Sequence, residues 1–384
     1  MPLPSLHHVR HATRKARLPP SLLVRHASTN LPRPYRFHIG ASWHAKPGDR
    51  AMRKVASPFP ADHPIGKWRD ESLTRGKGKG SPAVGPGEDF FYIQDVRFRV
   101  GLTLSSSFPP LDLPTIQMRN QSDVSLGIAD GVGGWVTSGV DPSRFSQALM
   151  YHAHRYCSLG WAGEPEIDPT QEYEERETVE GWELLPMECM DMAHEAVRRE
   201  KSVVAGSSTA CIINMNASSG VLRAANLGDS GFLIIRSSSV FHRQRSQTHF
   251  FNCPRYVVRF FVRHSTRQLA KLPAFMGDHS GAMTDFANAS DLYETKLRDG
   301  DLVIAFTDGL SDNVFNSEIT SICSLVARGG GSEDVQVQAM ANRIVDYARS
   351  CMNNMSRVSP FEKAAAREGQ ACVTVLVALV REVL

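Results

Sequence analysis

An α+β fold is predicted by three features of this 384-residue sequence. Apolar segments with strand character stand at 124–129, 209–215, 221–226 and 231–236, with two more at 301–306 and 373–380. Connections such as Asn216-Ala217-Ser218-Ser219-Gly220 join neighbours closely enough for antiparallel pairing. Helical patterns at 143–157, 184–201, 316–328 and 333–351 are grouped between the strands, which favours α+β over a parallel βαβ sheet.

In the first strand Val124, Leu126 and Ile128 alternate with Ser125, Gly127 and Ala129, and the run stops at Asp130. Gly131, Gly133 and Gly134 then strip the turn of side chains, so that a backbone carbonyl or a phosphate-sized ligand can approach. The run Leu302-Val303-Ile304-Ala305-Phe306 ends in the same manner at Thr307-Asp308-Gly309. A lone Asp-Gly is a common turn, but two of them at the ends of apolar strands favour one shared site. Carboxylates and a close backbone carbonyl are oxygen donors suited to hard divalent ions such as magnesium and manganese. The last helical pattern carries Val335, Ala339, Ile344, Val345 and Ala348 on a broad apolar stripe.

Composition narrows the classes. With 42% apolar and 22% charged residues the chain can bury a large core, and no compositional break divides residues 120–384. A net charge of +3 argues against a nucleic-acid binder. The longest late apolar run, Val373 to Val380, is far shorter than the roughly 20 residues that span a bilayer, so no transmembrane segment is expected. The seven cysteines make no Cys-x-x-Cys pair and read as reduced thiols. His152 and His154, two apart on a helix, cannot share one ligand and read as solvated or capped. Asp229 reads as a hairpin turn residue and not a ligand, Gly206 to Ala210 as tight strand packing without the lysine of a P-loop, and Trp135 as a buried aromatic beside a turn. Gly76-Lys77-Gly78-Lys79-Gly80 reads as a flexible linker.

The combination Gly87-Glu88-Asp89, Ile128-Ala129-Asp130-Gly131-Val132-Gly133-Gly134-Trp135, Gly206-Ser207-Ser208-Thr209-Ala210, Ala225-Asn226-Leu227-Gly228-Asp229-Ser230-Gly231 and Thr307-Asp308-Gly309-Leu310 resembles the type 2C metal-dependent protein serine/threonine phosphatases over residues 85–380. Asp130-Gly131-Val132-Gly133-Gly134-Trp135, followed by Gly139-Val140-Asp141-Pro142-Ser143, resembles the mitochondrial branch of that family. The resemblance implies two antiparallel sheets packed as a sandwich and flanked by helices, a four-layer αββα arrangement. It also implies two Mn2+ or Mg2+ ions, a third ion beside them, and a phosphoprotein substrate. Asp130 would bridge the ions with the Gly131 carbonyl as a backbone ligand, Glu88 and Asp89 would form the opening acidic pair, Asp308 would complete the second ion's shell, and Asp312 would face a further ion. A water held between the metals would attack phosphorus, with Asp130 and Asp308 as the catalytic carboxylates.

Residues 1–48 hold eight Lys or Arg and no Asp or Glu, and Leu6, Val9, Thr13 and Ala16 follow helical spacing. With the family branch, this fits a presequence over residues 1–30 for import to the mitochondrial matrix. Residues 31–84 then read as an extension and linker, and 85–384 as the catalytic domain.

The chain departs from the family pattern at three places. Val132 stands where many relatives carry a histidine, and Val84 where many carry an arginine. Ala371 and Cys372 replace the acidic pair that precedes the last strand, which leaves a catalytically impaired, phosphoprotein-binding relative as the alternative function. Segments near 98–119 and 255–267 interrupt the pattern as insertions, and translated introns with a dropped exon segment would account for both and for the lost acid.

Overall fold

Phe90, Phe91 and Tyr92 are consecutive, yet all three are almost completely buried. Neighbouring side chains on a strand point to opposite faces, so such a strand must be covered on both sides. The computed structural model describes residues 35–46, 54–75, 85–96, 123–159, 184–217, 219–250, 253–259, 285–354, 356–361 and 373–382. In chain order its elements are β1 (Tyr35–His44), α1 (Pro64–Arg75), β2 (Asp89–Val96), β3 (Asp123–Asp130), α2 (Pro142–Leu159), α3 (Pro186–Arg199), β4 (Gly206–Ser208), β5 (Ala210–Met215), β6 (Val221–Leu227), β7 (Gly231–Arg236) and β8 (Ser239–Arg243). They continue with β9 (Thr248–Phe250), β10 (Cys253–Pro254), β11 (Val257–Arg259), β12 (Asp291–Lys296), β13 (Leu302–Phe306), α4 (Asp308–Ser311), α5 (Asn316–Arg328), α6 (Glu333–Met352) and β14 (Val373–Glu382).

Two five-stranded antiparallel sheets form the centre. One has the order β1-β14-β13-β7-β8, the other β12-β6-β5-β3-β2. Alternate residues of both sheets, among them Phe91, Leu126, Ile128 and Ile213 from one and Phe232, Val303, Ala305 and Leu376 from the other, make the core between them. The outer face of the second sheet, with Phe90, Tyr92 and Ile212, packs against α2 and α3. The outer face of the first, with Ile304, Val375 and Val377, packs against α5 and α6. The result is the four-layer α+β sandwich expected, with helices outside and sheets inside. The β5–β6 hairpin closes through the predicted turn, where Gly220 N–H donates to the Asn216 carbonyl at 2.8 Å.

The four long helices fall where their periodicity placed them. α3 begins at Pro186, whose fixed φ suits the first helical turn, and the Glu188 carboxylate accepts the Leu185 N–H at 3.1 Å. The histidines on α2 differ from expectation. His152 is buried with its Nε2 3.9 Å from Glu200, and His154 packs against the rings of Trp68 and Tyr92.

Residues 31–84 are not an extension over the part that is described. β1 pairs with β14 along its whole length and supplies the edge of the first sheet. Phe59 and Ile65 are buried in the cluster beneath α2, and the Trp68 ring on α1 lies 5.3 Å from that of Phe90. The segment from 255 also enters the fold at its start, because β11 pairs with β4 and buries Val257. The presequence, the 76–80 linker, the segment near 98–119, residues 260–267, Val84, Ala371 and Cys372 lie outside the described residues.

Leu376 is fully buried between the sheets. Leu376→Ala should cost about 2–5 kcal/mol of unfolding free energy in urea titrations, since the cavity would be lined from both sheets and could collapse only in part. A chain begun at residue 85 should lose cooperative unfolding, whereas one begun at residue 33 should keep it, as circular dichroism melts would show.

Candidate metal centre

Register alone joins two of the predicted acids, because β2 and β3 run antiparallel with Asp89 opposite Asp130. The other sheet contributes through β13, which ends at Phe306 and leads through Thr307 to Asp308 at the start of α4. Asp89 is fully buried, and its Oδ2 accepts the hydroxyls of Thr307 at 2.9 Å and Thr374 at 3.0 Å. One carboxylate of the second sheet is thereby tied to two strand ends of the first. The Asp130 carboxyl lies near enough to those of Asp89 and Asp308 to act on the ionisation of both.

Two ionised carboxylates have no proton between them and repel, so such closeness requires either a shared proton or an added cation. Oδ1 of Asp89 and Oδ1 of Asp308 are buried and accept no hydrogen bond. Unpartnered hard oxygens beside a shared carboxylate suit Mg2+ or Mn2+ and give no soft ligand for copper or zinc. Among the described residues no group of three or more His, Cys, Asp or Glu side chains is spaced as a finished cage. Carboxyls now this close would have to part to admit an ion.

Backbone packing places the rest. The Gly131 N–H donates to the Glu88 carbonyl at 3.2 Å, and a Cβ at Gly131 would stand 2.6 Å from the Pro142 carbonyl oxygen. Only glycine fits there. The Ser146 hydroxyl on α2 holds the same Glu88 carbonyl at 2.6 Å. Thr209 secures Asp130, its N–H donating to the Asp130 carbonyl at 3.0 Å and its hydroxyl accepting the Asp130 N–H at 3.1 Å. Trp135 is fully buried and donates from Nε1 to the Ser207 hydroxyl at 2.8 Å. The Gly206 to Ala210 motif therefore acts as packing and support, as its lack of a lysine implied.

Glu88 is 6% exposed and meets the Lys46 ammonium at 2.5 Å. Asp312 follows Asp308 by one turn, its N–H donating to the Asp308 carbonyl at 2.8 Å. Asp229 changes most against the sequence reading. Gly228, with φ +106°, does make the turn between β6 and β7, but the Asp229 carboxylate lies in the field of Asp308 and Asp312 and so joins the acidic group. The signal was present, since Asp229 also sits beside glycine at the end of a strand, as Asp130 and Asp308 do.

Burial dominates the electrostatics. It pushes the Asp89 carboxyl up from 3.8 to about 7, with Asp308 adding to the effect and the two threonine hydroxyls opposing it. Asp312 is pushed up to about 8 by burial and then by Asp308, with Arg243 opposing. Burial raises Glu88 against the pull of Lys46, raises Asp308 against the effect of Asp130, and raises Asp229 well above the usual carboxylate range.

These raised values fix how the metal-free protein responds to pH. The native state holds the protons more tightly than the unfolded chain, so stability falls as pH rises from 3.8 through about 7 for Asp89 and about 8 for Asp312. With chelator present, the urea midpoint should decline between pH 5 and pH 8, and Asp312→Asn should flatten that decline. A profile that is level in the wild-type chain would contradict the arrangement.

No family model matches the chain. Over 244 residues it is 32% identical to the protein phosphatase PTC7 homolog fig of Drosophila willistoni, covering 63% of this chain and 66% of that protein, so the match spans just under two thirds of that relative's length. Over 293 residues it is 30% identical to the protein phosphatase PTC7 homolog of Homo sapiens, covering 74% of this chain and 84% of that protein. The X-ray structure of the photosystem II phosphatase PBCP shares the fold with a TM-score of 0.51 at 19% identity, covering 89% of this chain and 98% of that one. The sheets, the gathered carboxylates and the extent of the human match agree, and the chain belongs to the PTC7 family of type 2C protein phosphatases.

Proposed function

We propose that this chain is a metal-dependent protein serine/threonine phosphatase that hydrolyses phosphoserine and phosphothreonine with Mn2+ or Mg2+. The observation that carries the reading is Asp89 standing opposite Asp130 in register and tied by Thr307 and Thr374 to the strand ends beside Asp308, while Asp89 and Asp308 each keep a buried oxygen without a partner. Glu88, Asp89, Asp130, Asp308 and the Gly131 carbonyl would hold the pair of ions, and Asp312 with Asp229 a further one. Bound there, such cations supply positive charge for a phosphate anion and lower the pKa of water.

The chain's own residues do the remainder. Asp130, shared between its two neighbours, keeps the two halves of the site in register across the sheets. Thr307 and Thr374 hold the Asp89 carboxylate through Oδ2 and leave its buried Oδ1 without a hydrogen-bond partner. Val132 offers no proton to the departing serine or threonine oxygen, so a water or another group must supply it. The substrate is a phosphoprotein, chosen by the surface around the cleft.

Purified chain with a phosphopeptide or p-nitrophenyl phosphate should turn over only when Mn2+ or Mg2+ is added. Asp130→Asn should lower the rate by about 100-fold or more, because it removes a carboxylate that would hold the ions. Turnover that survives chelation, or that Asp130→Asn leaves intact, would refute the proposal. Ala371 favours a second reading, a phosphoprotein-binding relative without turnover. That reading predicts no activity at millimolar Mn2+ from folded wild-type chain, and gain of activity in Ala371→Asp.

The same proposal places the protein in the mitochondrial matrix, supported by the basic, acid-free residues 1–48. Among the described residues no helix is long and apolar enough to cross a membrane. Isolated mitochondria should import and shorten the full chain in a potential-dependent manner, and a chain lacking residues 1–30 should stay outside.

A further inference from the structure

The position of Lys46 is set by the same contacts that build the acidic cluster. The β1–β14 ladder ends with Trp43 opposite Thr374 and His44 opposite Val373. Thr374 is one of the two threonines bound to Asp89, and the Trp43 ring lies 5.3 Å from that of Phe91, two residues beyond Asp89 on β2. The end of β1 is thus fastened to both sheets beside the site. Two residues further, the Lys46 ammonium lies 2.5 Å from Glu88 Oε2, with the lysine side chain 33% exposed and that of Glu88 7% exposed. Its charge also acts on Asp308.

A cation is therefore held where buried acids meet solvent. A structural ion pair would explain the Glu88 contact alone, but it does not require the lysine to be partly open or to bear on Asp308 from the other sheet. A phosphate monoester is an anion, and Lys46 offers it a positive charge at a solvent-open edge of the cluster. Lysine is suited to meet it, being a point charge on a flexible four-carbon stem with rotatable donors. Were Glu88 engaged with a divalent cation, the Lys46 ammonium would be available to turn from that carboxylate to a phosphoryl oxygen.

We propose that Lys46 binds the phosphoryl oxygens of the substrate at the mouth of the carboxylate cluster, as the electrostatic capture group of this site. The proposal rests on the phosphatase reading for the substrate's identity, but its test does not depend on turnover. Lys46 holds and orients the ester, and no proton or bond passes through it.

The experiment titrates inorganic phosphate into Mn2+-equilibrated wild-type chain, Lys46→Met and Lys46→Arg by calorimetry, with Mn2+ affinity measured on the same samples. Lys46→Met keeps the apolar stem and removes the charge. The expected result is a phosphate Kd, and a KM for phosphopeptide, raised about 10 to 100-fold in Lys46→Met, the range for losing a charged hydrogen bond. Lys46→Arg should recover most of that loss, kcat should change less than KM, and Mn2+ should bind Lys46→Met at least as tightly as wild type. Equal phosphate binding in wild type and Lys46→Met overturns the proposal, as does wild type that binds no phosphate. Mn2+ affinity falling in parallel with phosphate affinity also overturns it, because Lys46 would then be only a prop for Glu88. Lys46-dependent phosphate binding without turnover leaves this inference standing and refutes the phosphatase reading.

Discussion

The structure depends on one carboxylate that belongs to both sheets. Asp89 is a residue of the second sheet by register, yet its Oδ2 is held by Thr307 and Thr374, which stand at strand ends of the first. A buried carboxylate without donors would be costly, and these two hydroxyls offset that cost at one oxygen while leaving the other bare. The bond fixes how far apart the layers sit at this end. That separation in turn decides that Asp130 and Asp308, about 180 residues apart in the chain, come within reach of each other.

The consequence is an excess of negative charge with little water to relieve it. Asp89, Asp308, Asp312, Asp229 and Glu88 are all raised by burial first and, apart from Asp308, by one another second. Such a group is stable when it holds protons or when cations enter, and Lys46 supplies one positive charge from within the chain. Affinity for hard cations and sensitivity to pH are thus two outcomes of the same packing. Around it the backbone is rigidly supported, by Thr209 on Asp130 and by Ser146 and Gly131 on the Glu88 carbonyl.

Much of this was legible before folding. The strands around Ile128, Ile213, Ile234 and Ile304 announce themselves because both faces are buried and their side chains are branched or bulky. The long helices are legible through their apolar stripes. Asp130 and Asp308 stand out because a charged residue beside glycine ends each apolar run. β12 is different, being an exposed edge strand of Asp291, Leu292, Tyr293, Glu294, Thr295 and Lys296, whose composition carries no burial signal. β1 is obscured by its basic neighbourhood, and its sheet role appears only through pairing with β14, more than 300 residues away.

The sequence by itself determined the α+β class, the main strands and helices, and the acidic residues placed at strand ends, because these follow from local periodicity and from glycine's small size. The tertiary structure alone decided that β1 is an edge of the first sheet, that Asp229, still in its turn, lies in the field of Asp308 and Asp312, and that Lys46 stands beside Glu88. Each of those outcomes is a meeting of residues distant in the chain. It is set by how closely two sheets approach, a distance that no local pattern of residues encodes.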